Sequence, residues 1–210
     1  MFRKVLIANR GEIAVRVIRT LRRMGIASVA IYSDADRFSL APRLADEAVR
    51  VGPAPASESY LDVEAVIAAC RETGAEAVHP GYGFLSENIG FAARLAEAGI
   101  TFIGPRPEHL SAFGLKHTAR DLAAAAGVPL LPGTGLIASL DDALTEAARV
   151  GYPLMLKSTA GGGGIGMSLC ADEAALRAAF ESVRRTATAS FGDARVFLAR
   201  FVSDARHVEG

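Results

Sequence analysis

Short apolar runs alternate with helix-period segments through the first half of the chain, and this rhythm constrains the fold more than any other feature of the sequence. Residues 5–8 form an apolar run, followed by an amphipathic stretch over 12–24 that meets Gly25. Residues 28–32 are strand-like again. A second helical stretch runs over 61–73 to Gly74, residues 77–79 are strand-like, 89–98 are helical up to Gly99, and 100–103 return to strand character. Strands separated by helices of this length are joined by right-handed crossovers and lie parallel in one sheet. The first ~110 residues therefore read as a doubly wound α/β domain.

The rhythm changes at Gly104-Pro105-Arg106-Pro107. The clearest helix after it covers 116–126 and ends at Gly127, and residues 128–135, rich in proline and glycine, read as a linker. Ser139 with Asp142 three residues on has the form of a weak capping box, opening a helix to about Val150. A strand, a glycine loop, a second strand, a helix over 173–184 and a strand over 196–198 complete a smaller α+β unit. Residues 203–206 read as a turn and 207–209 as the start of a further strand. An ending there would leave a new sheet barely begun, so the chain reads as cut rather than finished.

The glycine loop lies in Pro153-Leu-Met-Leu-Lys157-Ser-Thr-Ala-Gly161-Gly162-Gly163-Gly164-Ile-Gly166-Met167. Formally it contains the spacing of a dinucleotide fingerprint, but that fingerprint must open a helix whose N-terminus holds a pyrophosphate. Here an alternating apolar run follows instead. A Walker A loop is excluded because its lysine follows the glycines, whereas Lys157 precedes them. What remains is a hairpin whose glycines can bring bare N–H groups close to an anion. Ordering such a flap is entropically costly, so it is expected to close only on a ligand. A glycine run alone is more often a flexible linker, and a lone strand-end lysine as readily extends to solvent. A strand on each side with Lys157 at the lip favours a nucleotide flap. Lys116, in Phe113-Gly-Leu-Lys116-His-Thr, is by itself an ordinary surface lysine. The loop 79–88 after a strand (His79-Pro-Gly-Tyr82-Gly-Phe-Leu-Ser-Glu-Asn88) reads equally as a ligand-facing loop and as a tight turn with Tyr82 and Phe84 in packing roles.

Hydrophobic residues make up 50% and charged residues 22% of the 210, with a formal net charge of zero. This composition is that of a soluble globular protein and points to neither nucleic acid nor a membrane surface. No apolar run reaches the ~18 residues of a membrane span. Met1 to Arg10 fits a first strand better than a signal peptide. Cys70 and Cys170 are isolated and read as reduced thiols of a cytoplasmic protein. The histidines and cysteines show no metal-ligand spacing, and no Ser/His/Asp arrangement is legible.

Several runs together resemble the biotin carboxylase component of biotin-dependent carboxylases: Lys4-Val-Leu-Ile-Ala-Asn9-Arg10-Gly11-Glu12-Ile13-Ala14, Ala35-Asp36-Arg37, Ser59-Tyr60-Leu61, the long run 79–88, Phe102-Ile-Gly-Pro105 and Lys157 through Gly166-Met167. The resemblance covers the whole chain, and the run 79–88 is its most specific part. It implies an ATP-grasp fold, with a Rossmann-like parallel-sheet domain over 1–113, a helical linker over 114–132, a lid over 133–201 and the start of a C-terminal subdomain over 202–210, the C-terminal sheet itself being absent. It implies activation of bicarbonate with ATP and Mg2+, then transfer of the carboxyl group to biotin on a carrier domain, with pairing of the complete protein through its N-terminal domain. Lys116 and Lys157 would contact ATP phosphates. Gly161, Gly162, Gly163, Gly164 and Gly166 would form the flap, Met167 would pack on adenine, His207 would face the nucleotide and Tyr82 would lie near biotin. The resemblance puts the magnesium ligands, the bicarbonate-site arginine and the catalytic base beyond this chain, so the chain alone is expected to be inactive and contributes no catalytic residue.

Within that family, Ser158-Thr-Ala160, Ile165 and Lys116-His-Thr-Ala-Arg120 look most like urea carboxylase rather than an acyl-CoA or pyruvate carboxylase. Ala199-Arg200 departs from the family's usual acidic residue and lysine before the hinge. A guanidine-type carboxylase is not separated from urea carboxylase by these residues, and three other readings compete: an acyl-CoA or pyruvate carboxylase subunit, another ATP-grasp ligase of carbamoyl-phosphate-synthetase type, and an inert nucleotide-binding remnant.

Overall fold

A computed structural model describes residues 1–160 and 164–206. The chain divides into two compact units, Met1–Ser111 and Ala112–Gly210. The first carries β1 (Lys4–Ile7), α1 (Gly11–Arg23), β2 (Ala27–Ser33), α2 (Leu40–Leu44), β3 (Glu47–Gly52), α3 (Val63–Thr73), β4 (Ala77–His79), α4 (Ile89–Glu97) and β5 (Thr101–Phe102). Its five strands lie in the order β3-β2-β1-β4-β5, every neighbouring pair parallel. Strand alternation splits the core in two. Val5 and Ile7 face α1 and α2, packing with Ala14, Ile18 and Leu21. Leu6 and Ala8 face the other way, against Ile67 of α3 and Phe91 and Leu95 of α4. Helices therefore cover both sheet faces, as the α/β alternation predicts.

Two elements of this unit carry no periodic signal. Strand β3 is an edge strand, and its Glu47, Ala48 and Arg50 are exposed. An edge pairs on one side only and tolerates charge, so it lacks an apolar run. Helix α2 is a single short turn. Helix α3 starts two residues later than expected because Asp62 caps it, its Oδ1 accepting the Ala65 N–H at 3.0 Å.

Helix α5 (Pro107–Gly114) spans the division between the units. The second unit holds α6 (Lys116–Ala125), α7 (Leu140–Val150), β6 (Leu154–Ser158), β7 (Met167–Cys170), α8 (Glu173–Phe191) and β8 (Val196–Arg200). Its antiparallel sheet has the order β7-β6-β8. The Ser139 hydroxyl caps α7 by accepting the Asp142 N–H at 3.1 Å, as its spacing predicts. Helix α8 runs seven residues past the expected end, because Leu176, Phe180, Val183 and Ala187 continue one buried stripe. Residues 132–137 form no strand of their own but run beside β8, with the Thr134 N–H donating to Leu198 O at 2.9 Å and the Ile137 N–H to Val196 O at 2.9 Å. Residues 203–204 form a turn. The expected strand over 207–209 lies outside the described residues. Among those described, no helix is long and apolar enough to cross a membrane.

Candidate functional site

Helices α7 and α8 cover one face of sheet β7-β6-β8. Leu154 and Leu156 of β6, Cys170 of β7 and Val196 and Leu198 of β8 pack on α7 and α8. The alternate residues point to the other face. There, register places Met155 opposite Leu169 and Ala199, and Lys157 opposite Met167 and Phe197. Met167 and Leu169 are 40% and 50% exposed whereas Phe197 and Ala199 are 3% and 5%, so this apolar face is open along β7 and closed along β8, with one lysine at its end.

Lys157 is half-buried. Burial, and then the positive charges of Arg120 and Lys116, push its pKa below the ordinary lysine value. No carboxylate pairs with it among the described residues. The two lysines are tied together at Thr159, which is fully buried. The Lys116 N–H donates to Thr159 O at 3.3 Å, and Thr159 Oγ1 lies 2.5 Å from His117 Nδ1. On its other side, the Thr159 N–H donates to Arg195 O at 3.0 Å. The start of α6 and the end of β6 are thus clasped, which sets where both lysines begin.

The root of the hairpin loop is equally constrained. The Ser158 N–H donates to Gly166 O at 2.8 Å, and the Ser158 hydroxyl donates to Ala160 O at 2.6 Å. Gly166 has φ +73°, and a Cβ there would come 2.6 Å from Ser158 Oγ, so side chain and conformation both demand glycine. Gly164 has φ +84°. Gly161, Gly162, Gly163 and His207 lie outside the described residues.

The departure at Ala199-Arg200 has a structural reading. Arg200 lies opposite Leu154, and its guanidinium donates to Val150 O at 3.2 Å at the end of α7. It is a sheet-to-helix strut and leaves the open face. Ala199, on the open face, is 5% exposed and brings no carboxylate toward Lys157.

In the first unit, Tyr82 stands at the point where the strand order reverses, between β1 and β4. Loops at the carboxyl ends of such strands border the ligand crevice of an open α/β sheet. A cleft of about 500 Å³ opens there, lined by Asn9, Arg10, Glu12, Asp36, Tyr82 and Phe84 among others. Tyr82 is 68% exposed, and its hydroxyl donates to Glu12 Oε1 at 3.4 Å. Buried Asn9 shapes the loop by donating to Pro80 O at 2.7 Å and Tyr82 O at 2.9 Å. Gly81, at φ +66°, lies so close that a Cβ would meet Asn9 Nδ2 and Ile13 Cγ2 at 2.7 Å. The backbone of Phe84 sits at φ +44°, a costly conformation for a bulky residue. Its ring stacks on Tyr60 at 5.1 Å, with the Arg10 guanidinium 5.7 Å from both ring centres. Tyr60 is anchored in turn, its hydroxyl donating to Asp36 Oδ2 at 2.7 Å. Burial pushes its pKa up to about 12, so it remains a donor.

Sequence reasoning singled out Lys116, Lys157, Gly166 and Met167, and these meet around the end of β6. Tyr82 belongs to the other unit. Met155, Leu169 and Phe197 were missed, although each is two residues from, or directly across from, a residue on the open face. Arg120 was also missed, and its position four residues after Lys116 on one helix was the available signal. Asn9 carries no such signal, since its partners are backbone carbonyls some 71 and 73 residues away.

Residues 1–110 match the family described as biotin carboxylase, N-terminal domain, and residues 116–210 match the carbamoyl-phosphate synthase L chain, ATP binding domain. The chain belongs to the biotin carboxylase family. The propionyl-CoA carboxylase alpha chain of Ruegeria pomeroyi is 51% identical over 210 residues, 100% of this chain and 31% of the relative. The urea amidolyase of Saccharomyces cerevisiae is 51% identical over 209 residues, 100% of this chain and 11% of the relative. The biotin carboxylase of Halalkalibacterium halodurans is 50% identical over 210 residues, 100% of this chain and 46% of the relative. The chain thus spans less than half the length of each. Among solved structures, the Campylobacter jejuni biotin carboxylase–β-γ-ATP complex superposes with TM-score 0.93 at 41% identity, over 97% of this chain and 46% of that one. The biotin carboxylase domain dimer of Hydrogenobacter thermophilus 2-oxoglutarate carboxylase, with MgADP, ADP and bicarbonate, gives TM-score 0.90 at 42% identity, over 97% and 45%. The parallel five-stranded sheet and the small antiparallel sheet of this biotin carboxylase family member are the architecture of those ATP-grasp enzymes. The match over 1–110 is to a biotin carboxylase domain and not to carbamoyl-phosphate synthase, whose name enters only with the ATP binding domain over 116–210.

Proposed function

We propose that the chain supplies the N-terminal domain and the nucleotide lid of an enzyme that carboxylates protein-linked biotin with ATP and bicarbonate. Residues 1–113 would form the domain, 114–132 a helical linker, 133–201 the lid and 202–210 the beginning of a further subdomain. One observation carries the reading: half-buried Lys157, with Lys116 and Arg120 beside it and no carboxylate partner among the described residues, ends an open apolar sheet face bearing Met155 and Met167. The apolar face suits an adenine ring and the cations suit phosphates. Lys116 and Lys157 would bind the phosphates, with Gly161, Gly162, Gly163, Gly164 and Gly166 closing over them. Met167 would lie on the adenine, and His207 near the ribose. In phosphoryl transfer such groups act by positioning and electrostatic stabilisation. Bound Mg2+ would neutralise phosphate charge. Among the described residues no three His, Cys, Asp or Glu side chains stand together, and the carboxylates that would hold the metal are expected beyond this chain. Tyr82, in the switch-point crevice, would lie beside biotin presented by a carrier domain.

The finer reading is urea as final acceptor of the carboxyl group. Overall identity does not separate acceptors, since relatives acting on urea and on propionyl-CoA are both 51% identical. The support is local: Ser158-Thr-Ala160, Ile165 and Lys116-His-Thr-Ala-Arg120 resemble the urea carboxylase pattern. A cytoplasmic location accords with two buried, unpaired thiols. Pairing through the N-terminal domain accords with the dimer of the Hydrogenobacter thermophilus domain. Neither nucleic acid nor a membrane is needed.

Calorimetric titration of the chain with MgATP tests the core of this reading. Micromolar binding that Lys157→Ala abolishes is expected, without bicarbonate-dependent ATP hydrolysis by the chain alone. An unchanged affinity in Lys157→Ala would remove the phosphate site. In the whole protein, biotin-dependent phosphate release stimulated by urea and not by propionyl-CoA would assign the acceptor, and the reverse would overturn it.

A further inference from the structure

Arg120 stands among the cations near Lys157 without a ligand contact of its own in that reading, and its placement is specific. It lies one helical turn after Lys116, so the two share a face of α6. Its guanidinium lies over Gly133, where a Cβ would come 2.7 Å from Nη2. Gly133 is bridged to Ala199 of β8, which stands opposite Met155 on the open face. Nη2 donates to Leu131 O at 2.9 Å, the one hydrogen bond made by this five-donor group among the described residues. No carboxylate pairs with Arg120 there either. Its charge reaches Lys157, where it acts more strongly than that of Lys116.

Like charges one turn apart on a helix repel, and a half-buried lysine beside them adds to the cost. A fold that holds such groups together gains most when a multivalent anion enters among them. Arginine suits that task, because its planar donors grip phosphate oxygens in pairs and its charge does not titrate away. We propose that Arg120 is a third cation of the phosphate site and binds the nucleotide directly, beside Lys157. This deepens the nucleotide reading above and rests on it. The bond to Leu131 O orients the guanidinium and leaves its other donors to the ligand. Gly133 provides the room, since any side chain there would displace the arginine.

The variant Arg120→Gln removes the charge but keeps an N–H donor for Leu131 O. In the 210-residue chain it is expected to weaken MgATP binding about tenfold, the worth of one charge-assisted hydrogen bond. Adenosine, followed by NMR shift titration, is expected to stay within about twofold, because it lacks the group Arg120 grips. An unchanged MgATP affinity, with Lys157→Ala still abolishing binding, overturns the role of Arg120 and leaves the nucleotide site standing. Equal losses for MgATP and adenosine mean a structural role and also overturn it. Failure of the unsubstituted chain to bind MgATP overturns both readings together. Should Arg120→Gln not fold, phenylglyoxal modification of the unsubstituted chain gives an independent measurement. ATP is expected to protect the Arg120 peptide, and absence of protection overturns the proposal.

Discussion

Lys157 is held where its charge is costly. Burial, Arg120 and Lys116 all act against its protonated form, so its folded pKa lies below the ordinary 10.5. Between the folded and the ordinary value the unfolded chain binds more protons, and stability must therefore rise with pH across that window. Below the window the penalty is present in full. Lys157→Met is accordingly expected to raise the urea midpoint of the ligand-free chain near neutral pH and to flatten its alkaline rise. An unchanged or lower midpoint would contradict this. A group that weakens the empty fold and strengthens the loaded one is what a ligand site requires, and the residue pattern shows this only in part. A lysine before glycines was legible, whereas Arg120 beside it depends on α6 returning against β6. Asn9 is a similar case. It reads as a polar residue after a strand, and only the fold makes it the donor that shapes the Tyr82 loop.

At the scale of elements, the strands and helices with a buried stripe were legible because their periodicity reflects burial. Strand β3 was not, because an edge strand pairs on one side and keeps its charges. Residues 132–135 fall in the stretch 128–135 that reads as linker, for a related reason. Proline and glycine deny them strand character, but they satisfy β8 through one side chain and a few amides. Thr134 Oγ1 accepts the Leu198 N–H at 2.9 Å and donates to Gly135 O at 2.7 Å. The variant Thr134→Val keeps the shape and leaves the buried Leu198 N–H without that acceptor. A loss of about 1–3 kcal/mol in urea unfolding is expected, with faster hydrogen exchange at the Leu198 amide. Exchange unchanged at that amide would show the bond to be dispensable.

At the scale of the whole molecule, each unit carries one fully buried thiol, and both are free. Burial pushes the Cys70 thiol up to about 12 and raises that of Cys170 as well. Only a thiolate reacts readily, so both are expected to be inert to Ellman's reagent in the native chain and to react on unfolding. In Cys170→Ala the remaining thiol reports on the first unit, and in Cys70→Ala on the second. Rapid native-state reaction of either would show that its core opens. By itself the sequence determined the α/β class, most of the helix starts, the hairpin around the glycines and the family, because periodicity, caps and motifs are local. Tertiary structure alone decided which face of β7-β6-β8 stays open, that Arg200 braces α7 instead of joining that face, and that Arg120 stands beside Lys157. Those outcomes depend on sheet register and on contacts between distant segments, which no local pattern encodes.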